Sequence, residues 1–343
     1  MSHHPEDRPA PTIRTVTGPL VASAVAGPAL AHEHLAIDLR RGGDQEAVLD
    51  SRHTDAVAAE LSLLREQFGL ALIVDQTCRG MGRDVDALVR IATAADIAVV
   101  AATGWYHEAF HPADLRTADI GLLTDTLVGD AEQGIGPSKT RPGLIGEVGS
   151  HGHQPSAPER RSLTAAARAA VHTGLSVATH ASLGRGGLAQ LQLLTNQGLP
   201  PHRIAIGHQD LLTDSPTHRA LAAEGAYVAF DTLGKNSYQD DAVRLRLLLT
   251  LLDSGHADRI LLSCDISRYA YLNSYGGTGY GHLFHSFLPR LRAAGVPGST
   301  IDQLTRRNLL RFLSGQRDEG VPSKAAPTRG APCLRRPQAV RIA

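Results

Sequence analysis

Two imidazoles and a carboxylate stand together in ALAHEHLAID, residues 29–38: His32, Glu33 and His34. Side chains two apart on a strand share a face, so His32 and His34 point the same way in an otherwise apolar run. Unpaired buried polar groups are costly, and such a pair needs hydrogen-bond partners or a metal. Polar groups end other apolar, β-branched runs too: Asp75, Thr103, Glu147, His180, His208, Asp231 and Asp265. Singly, each has an ordinary explanation, as a bonded core histidine or a turn-forming aspartate. Converging on one face, His32, His34, His180, His208, Glu147 and Asp265 would leave severe unsatisfied polarity without a cation. The 17 histidines point the same way, since imidazole is the commonest metal ligand. Nitrogen and carboxylate donors without thiolate suit zinc, with manganese, cobalt or iron as alternatives. Six donors exceed the three plus water of one catalytic zinc and suit two metals sharing a carboxylate and a hydroxide.

The elements that must position these groups alternate. Eight candidate strands are ALAHEHLAID, LALIVDQT, IAVVAATGW, GLIGEVG, LSVATHAS, RIAIGHQD, AYVAFDTLG and RILLSCDIS. Between them lie runs with helical periodicity, among them TDAVAAELSLLREQFG, DVDALVRIATAAD, ADIGLLTDTLVGDAEQG, APERRSLTAAARAAVHTG and DDAVRLRLLLTLLDSG, several closed by glycine. In the fourth, Leu163, Ala166, Ala167, Ala170 and Val171 form one stripe. Strand alternating with helix means parallel βαβ units. Eight of them predict an α/β fold, a (β/α)8 TIM barrel, with the site at the C-terminal ends of the strands. An open doubly wound sheet is the alternative, but the first strand carries HEH where that fold would carry a glycine-rich phosphate turn. TIDQLTRRNLLRFLSG reads as an extra C-terminal helix closing the bottom or side of the barrel.

The 343 residues divide into a flexible N-terminus (1–12), the barrel (13–315) and a basic tail without apolar periodicity (316–343), read as disordered. Equal numbers of acidic and basic residues, 34 each, give no pointer to nucleic acid. No apolar run approaches transmembrane length and no signal-peptide core opens the chain, so no membrane partner is expected. Cys78, Cys264 and Cys333 are dispersed and odd in number, which fits a reducing, cytoplasmic setting. By alternation Cys264 points away from the site that its neighbour Asp265 faces. Trp105 and Tyr106 after strand three, Lys235 after strand seven and Arg268 after strand eight are the candidate substrate-binding residues for a small molecule. A cation among them could recognise a carboxylate, sulfonate or phosphate, with a structural salt bridge as the competing reading.

HEH on strand one, an acid on strand four, histidines on strands five and six and an aspartate on strand eight together resemble the amidohydrolase superfamily. ATGWYHEAFHP, GLIGEVGS, VATHAS, IGHQD, GAYVAFDTLGKNSY, LLSCDISR and YGGTGYGH resemble, more closely, the phosphotriesterase family, with its lactonase and phosphotriesterase-homology branches, over residues 15–314. The resemblance implies two divalent metals: His32, His34 and Asp265 holding the more buried one, His180 and His208 the more exposed one. Glu147 stands where most of the family has a carboxylated lysine bridging the metals, as in the family's glutamate-type branches. Metal assembly without CO2 is the corresponding expectation. The implied reaction is hydrolysis of a carboxyl ester, lactone or amide by a metal-bridging hydroxide, with Asp265 as proton shuttle. Phosphoester hydrolysis and a non-catalytic metal-binding barrel are the alternatives. The resemblance also suggests a homodimer.

Overall fold

The computed structural model describes residues 10–316. Most of the N-terminal stretch 1–12, nearly all of the tail 316–343, and Cys333 lie outside the described residues. Eight strands, β1 (Ala29–Glu33), β2 (Leu72–Asp75), β3 (Ala98–Thr103), β4 (Leu144–Ser150), β5 (Val177–Ala181), β6 (Ile204–Ile206), β7 (Tyr227–Phe230) and β8 (Ile260–Leu262), pair in sequence order. The pairing is parallel throughout. β8 returns to β1 through two bonds: the Asp265 N–H donates to His32 O at 3.2 Å and the His32 N–H to Ser263 Oγ at 2.9 Å. The fold is therefore the expected TIM barrel. A short antiparallel hairpin, Thr12–Thr15 with Gly18–Val21, precedes it.

Helices α1 (Thr54–Phe68), α2 (Val85–Ala95), α3 (Ile120–Gln133), α4 (Ala157–Thr173), α5 (Gly187–Asn196), α6 (Ser215–Ala223), α7 (Asp241–Asp253) and α8 (Leu288–Ala293) follow the strands in turn. Alternation along each strand divides the core in two. Leu30, Ile73, Val177, Ile260 and Leu262 pack outward on helix residues such as Leu61, Leu88, Leu163 and Leu248. Ala29, Ala31, Leu72, Val74, Ala178, Ala205 and Leu261 fill the barrel interior. Each buried leucine contributes about 2 kcal/mol. Leu309, Leu310, Phe312 and Leu313 join the interior cluster, so the extra C-terminal helix closes the bottom of the barrel.

Helix α4 shows how sequence sets an element. Ser156 caps it and Glu159 closes a capping box, with the Ser156 N–H donating to Glu159 Oε2 at 2.8 Å. Gly174, at φ 74°, ends it. Leu163, Ala166, Ala167 and Ala170 are buried as expected, but Val171 is 51% exposed. Eight residues beyond Leu163 it has rotated about 80° off the buried stripe.

The candidate strands are shorter in the structure than in the sequence reading, and the difference matters. His34 lies just past β1, beyond a register irregularity between Leu30 and Glu33, and Ile37–Asp38 instead pairs antiparallel with Val48–Leu49. Glu33, between the two histidines, turns to the loop after β8. Its carboxylate accepts from Ser263 Oγ (2.7 Å), Cys264 N (2.7 Å) and Ile266 N (2.8 Å). That clasp fixes the segment carrying Asp265 onto the segment carrying the histidines.

Candidate metal centre and active site

All six expected ligands converge at the C-terminal mouth. Each histidine has its outer nitrogen tethered and its inner nitrogen turned to the centre. Asp231 accepts from Nδ1 of both His32 (2.8 Å) and His208 (2.9 Å). His34 Nδ1 bonds Thr77 Oγ1 at 2.9 Å, and His180 uses the opposite atom, its Nε2 bonding Ser182 Oγ at 2.9 Å. Such tethers fix tautomer and ring direction at metal sites. The inward-facing atoms are thus Nε2 of His32, His34 and His208 and Nδ1 of His180.

Glu147 stands among them. Its Oε1 lies 3.4 Å from His34 Nε2, while its Oε2 lies 3.6 Å from His32 Nε2, 3.1 Å from His180 Nδ1 and 3.7 Å from His208 Nε2. Asp265 Oδ1 adds a donor 3.3 Å from His34 Nε2. Two groups with metal-ligand spacing result, His32–His34–Asp265 and Glu147–His180–His208. A third, His32–His208–Asp231, has the same compactness. Its aspartate already accepts both Nδ1–H groups and the His208 N–H (2.8 Å), so it orients ligands.

The donors fit a cation. Among the described residues the buried His32 Nε2 has no hydrogen-bond partner, and His208 Nε2 faces His180 Nδ1 at 2.8 Å. Although burial opposes ionisation, the surrounding imidazoles hold Glu147 well below the usual carboxylate range. Asp265 is likewise depressed against burial, chiefly by Lys235 and then by its bond with His34. Both shifts favour the deprotonated carboxylate that metal binding requires. Two ligand positions also carry left-handed backbone: His208 at φ 56° and Asp265 at φ 52°. Such conformations cost non-glycine residues roughly 1–3 kcal/mol each and gather at functional sites.

The mouth is a cavity of about 280 Å³, the size of a small organic molecule. Tyr106, His107, Leu183, Arg185, Lys235 and Arg268 line it around the ligands. Trp105 is a correction to the sequence reading: it is 4% exposed, packs in the core outside the barrel, and does not line the cavity. It takes the opposite side of the chain from Tyr106, whose hydroxyl lies 3.4 Å from His180 Nε2. Lys235 binds Asp265 Oδ2, and Arg268 binds Asp44 and lies over the Tyr271 ring. Asp75, by contrast, is structural, accepting from the N–H groups of Leu35 (2.7 Å) and Thr77 (3.0 Å). Sequence reasoning left Asp231, Thr77, Ser182 and Arg185 without roles. For Asp231 a signal existed, since it ends β7 where the neighbouring strands end in ligands.

An eight-stranded barrel with this mouth is that of a metal-dependent hydrolase. The chain belongs to the phosphotriesterase family, whose model matches residues 11–313. That family is binuclear and metal-dependent, and the two donor groups described above can hold such metals. The chain is 35% identical to the phosphotriesterase homology protein of Escherichia coli (strain K12) over 287 residues, 84% of this chain and 98% of that one. The crystal structure of the E. coli protein, complexed with phosphate in its active site, superposes with a TM-score of 0.81. The N-acetyltaurine hydrolase of Rattus norvegicus is 29% identical over 79% of this chain and 80% of its own. An organophosphorus hydrolase from Deinococcus radiodurans is 30% identical, covers 88% of this chain and 97% of its own, and superposes at 0.79. Among the described residues no helix is long and apolar enough to cross a membrane.

Proposed function

We propose that the chain holds two divalent metals, zinc before manganese, cobalt or iron, and hydrolyses the acyl–oxygen or acyl–nitrogen bond of a small carboxyl ester, lactone or amide. His32, His34 and Asp265 would hold one metal, His180 and His208 the other, with Glu147 as the carboxylate shared between them. The position of Glu147, with Oε1 towards His34 and Oε2 towards His180, is the observation that carries this reading. Two such cations supply a Lewis acid for the scissile carbonyl and a water ionised near neutral pH.

The chain's own groups do the rest. Asp265 turns Oδ1 to His34 and Oδ2 to Lys235, so its carboxylate is fixed at the cavity floor. From there it accepts the proton of the attacking water and returns it to the leaving atom. Lys235, with its side chain 8% exposed, keeps that carboxylate from swinging away. Tyr106, Leu39 and Leu183 give the cavity apolar wall against which an acyl or leaving group packs. Buried free thiols at Cys78 and Cys264 accord with a cytoplasmic setting, and a homodimer belongs to the same reading.

Phosphoester hydrolysis is the second reading, favoured by the phosphate bound in the active site of the E. coli relative and by the name of the D. radiodurans one. The name of the rat relative supports amide hydrolysis. A panel of lactones, aryl esters, N-acyl amines and phosphotriesters, offered to zinc- or manganese-loaded protein, decides between them. The expected outcome is kcat/KM at least about a hundredfold higher for the best acyl substrate than for the best phosphoester, a gap of roughly 2.7 kcal/mol. The reverse order overturns the acyl reading.

A further inference from the structure

Ser182, in the loop after β5, holds two imidazoles. Its Oγ lies 2.9 Å from Nε2 of His180 and 3.3 Å from Nδ1 of His151, which follows β4. A hydroxyl oxygen has two lone pairs, enough to accept an N–H from each ring. In that arrangement the lone pair of His180 lies on Nδ1, facing the centre, and that of His151 lies on Nε2. Asp231 orients His32 and His208 in the same way. The device that orients ligand imidazoles here therefore orients His151 as well, although His151 belongs to neither donor group of the centre.

His107, after β3, stands across from it. Both residues line the cavity, and their ring centres are 5.6 Å apart with planes at 43°. Two imidazoles that share one zinc through bonds of about 2.0–2.1 Å have ring centres roughly 5–6.5 Å apart, for angles between tetrahedral and linear. The His107 ring is placed by its neighbours, with its centre 4.3 Å from that of Tyr106, 5.0 Å from that of Phe110 and 5.6 Å from that of His180. Among the described residues neither of its nitrogens has a hydrogen-bond partner. The backbones behind the pair are pinned. A Cβ added at Gly149 would sit 2.7 Å from the His107 N, and one added at Gly186 (φ 76°) would sit 2.6 Å from Gly152 O. These close approaches fix the loops after β3, β4 and β5 against one another, and with them the two rings.

We infer that His107 and His151 form a further cation site at the rim of the mouth, that its ligand is zinc, and that filling it inhibits the enzyme. The acids lining the cavity, Glu147 and Asp265, belong to the centre, so this pair offers nitrogen alone. Imidazole without carboxylate suits zinc and not magnesium or calcium. Two protein ligands hold zinc less tightly than the three or four of a complete site, so the rim fills after the centre. A cation there stands beside His180 and takes space that a substrate needs on its way in. The site itself does not depend on which bond the centre cleaves.

Equilibrium dialysis against free zinc from about 0.1 to 100 µM counts the metal bound by wild type, His107→Gln, His151→Gln and the double variant. Glutamine keeps a hydrogen-bonding side chain and removes the imidazole. The tightly held zinc is expected to be the same in all four, which shows that fold and centre are intact. Above it, wild type is expected to take up one further equivalent, bound about tenfold more weakly, or worse, in each single variant. Superimposable isotherms for wild type and double variant overturn the site, and a loss in one single variant alone overturns the pairing. Turnover of the best panel substrate is expected to fall in step with the extra equivalent in wild type and not in the double variant. Extra zinc taken up without loss of turnover overturns the inhibition. A second measurement needs no variant: wild-type crystals soaked in zinc beyond that of the centre should show a further anomalous peak about 2.0–2.1 Å from a nitrogen of each ring, and its absence overturns the site. If the extra zinc binds as expected while no acyl substrate is turned over, the rim site stands and the acyl-hydrolase reading fails.

Discussion

Replacing Glu147 by alanine is expected to lower kcat about a thousandfold or more, some 4 kcal/mol of barrier, and to reduce bound metal below two equivalents. Among the described residues Glu147 alone is paired with all four inward-facing imidazole nitrogens, at 3.1–3.7 Å, and it is 2% exposed. Its loss removes the shared ligand and leaves the positive charge of the site less compensated. Glutamine, isosteric but neutral, is expected to behave nearly as badly, which separates charge from shape. Elemental analysis beside steady-state kinetics makes the check; two equivalents of metal and near-normal turnover in Glu147→Ala would place the residue outside the ligand set. Because glutamate carries its own carboxylate, bicarbonate should leave metal reconstitution of the wild type unchanged, and stimulation would count against the assignment.

The second large effect is on stability. Arg244 lies on α7, fully buried, and its guanidinium binds Asp210 Oδ2 (2.7 Å), Asp241 Oδ1 (3.0 Å), Thr232 Oγ1 (3.0 Å) and the carbonyls of Lys235 (3.1 Å) and Gln239. Asp210 follows His208 by two residues and Lys235 contacts Asp265, so one side chain braces the loops after β6 and β7. Arg244→Met leaves buried Asp210 without its counterion and Asp241 with His282 (2.6 Å) alone, and is expected to cost about 3–5 kcal/mol. Denaturant midpoints of the chelated proteins measure this without the contribution of metal binding. Arg244→Lys should recover part of it, since lysine restores charge but not the fork. A loss under about 1 kcal/mol would show that the aspartates find other partners or protonate at little cost.

The barrel was legible because its eight apolar runs alternate with periodic helices, a pattern few other architectures produce. The convergence of these side chains was legible too, since histidine, glutamate and aspartate at the ends of such runs are hard to satisfy unless they meet one another. What the pattern could not give was where each strand stops. His34, His208 and Asp265 lie in the turns just beyond β1, β6 and β8, and two of them reach the centre through left-handed backbone, not by strand alternation. The shared facing of His32 and His34 was thus expected from a continuous strand that the structure breaks. Trp105 went astray for a related reason: its place after β3 was readable, but which side of the chain it takes is set by packing against the core. Arg244, in DDAVRLRLLLTLLDSG, reads locally as solvent face. Its burial exists only once distant segments have come together.

Anomalous diffraction from crystals grown with zinc or manganese tests the binuclear centre most directly. Two peaks are expected, one at about 2.0–2.2 Å from His32 Nε2, His34 Nε2 and Asp265 Oδ1, the other at that distance from His180 Nδ1 and His208 Nε2, each with an oxygen of Glu147. A single peak that Glu147 does not touch, or none at full metal saturation, would contradict the account.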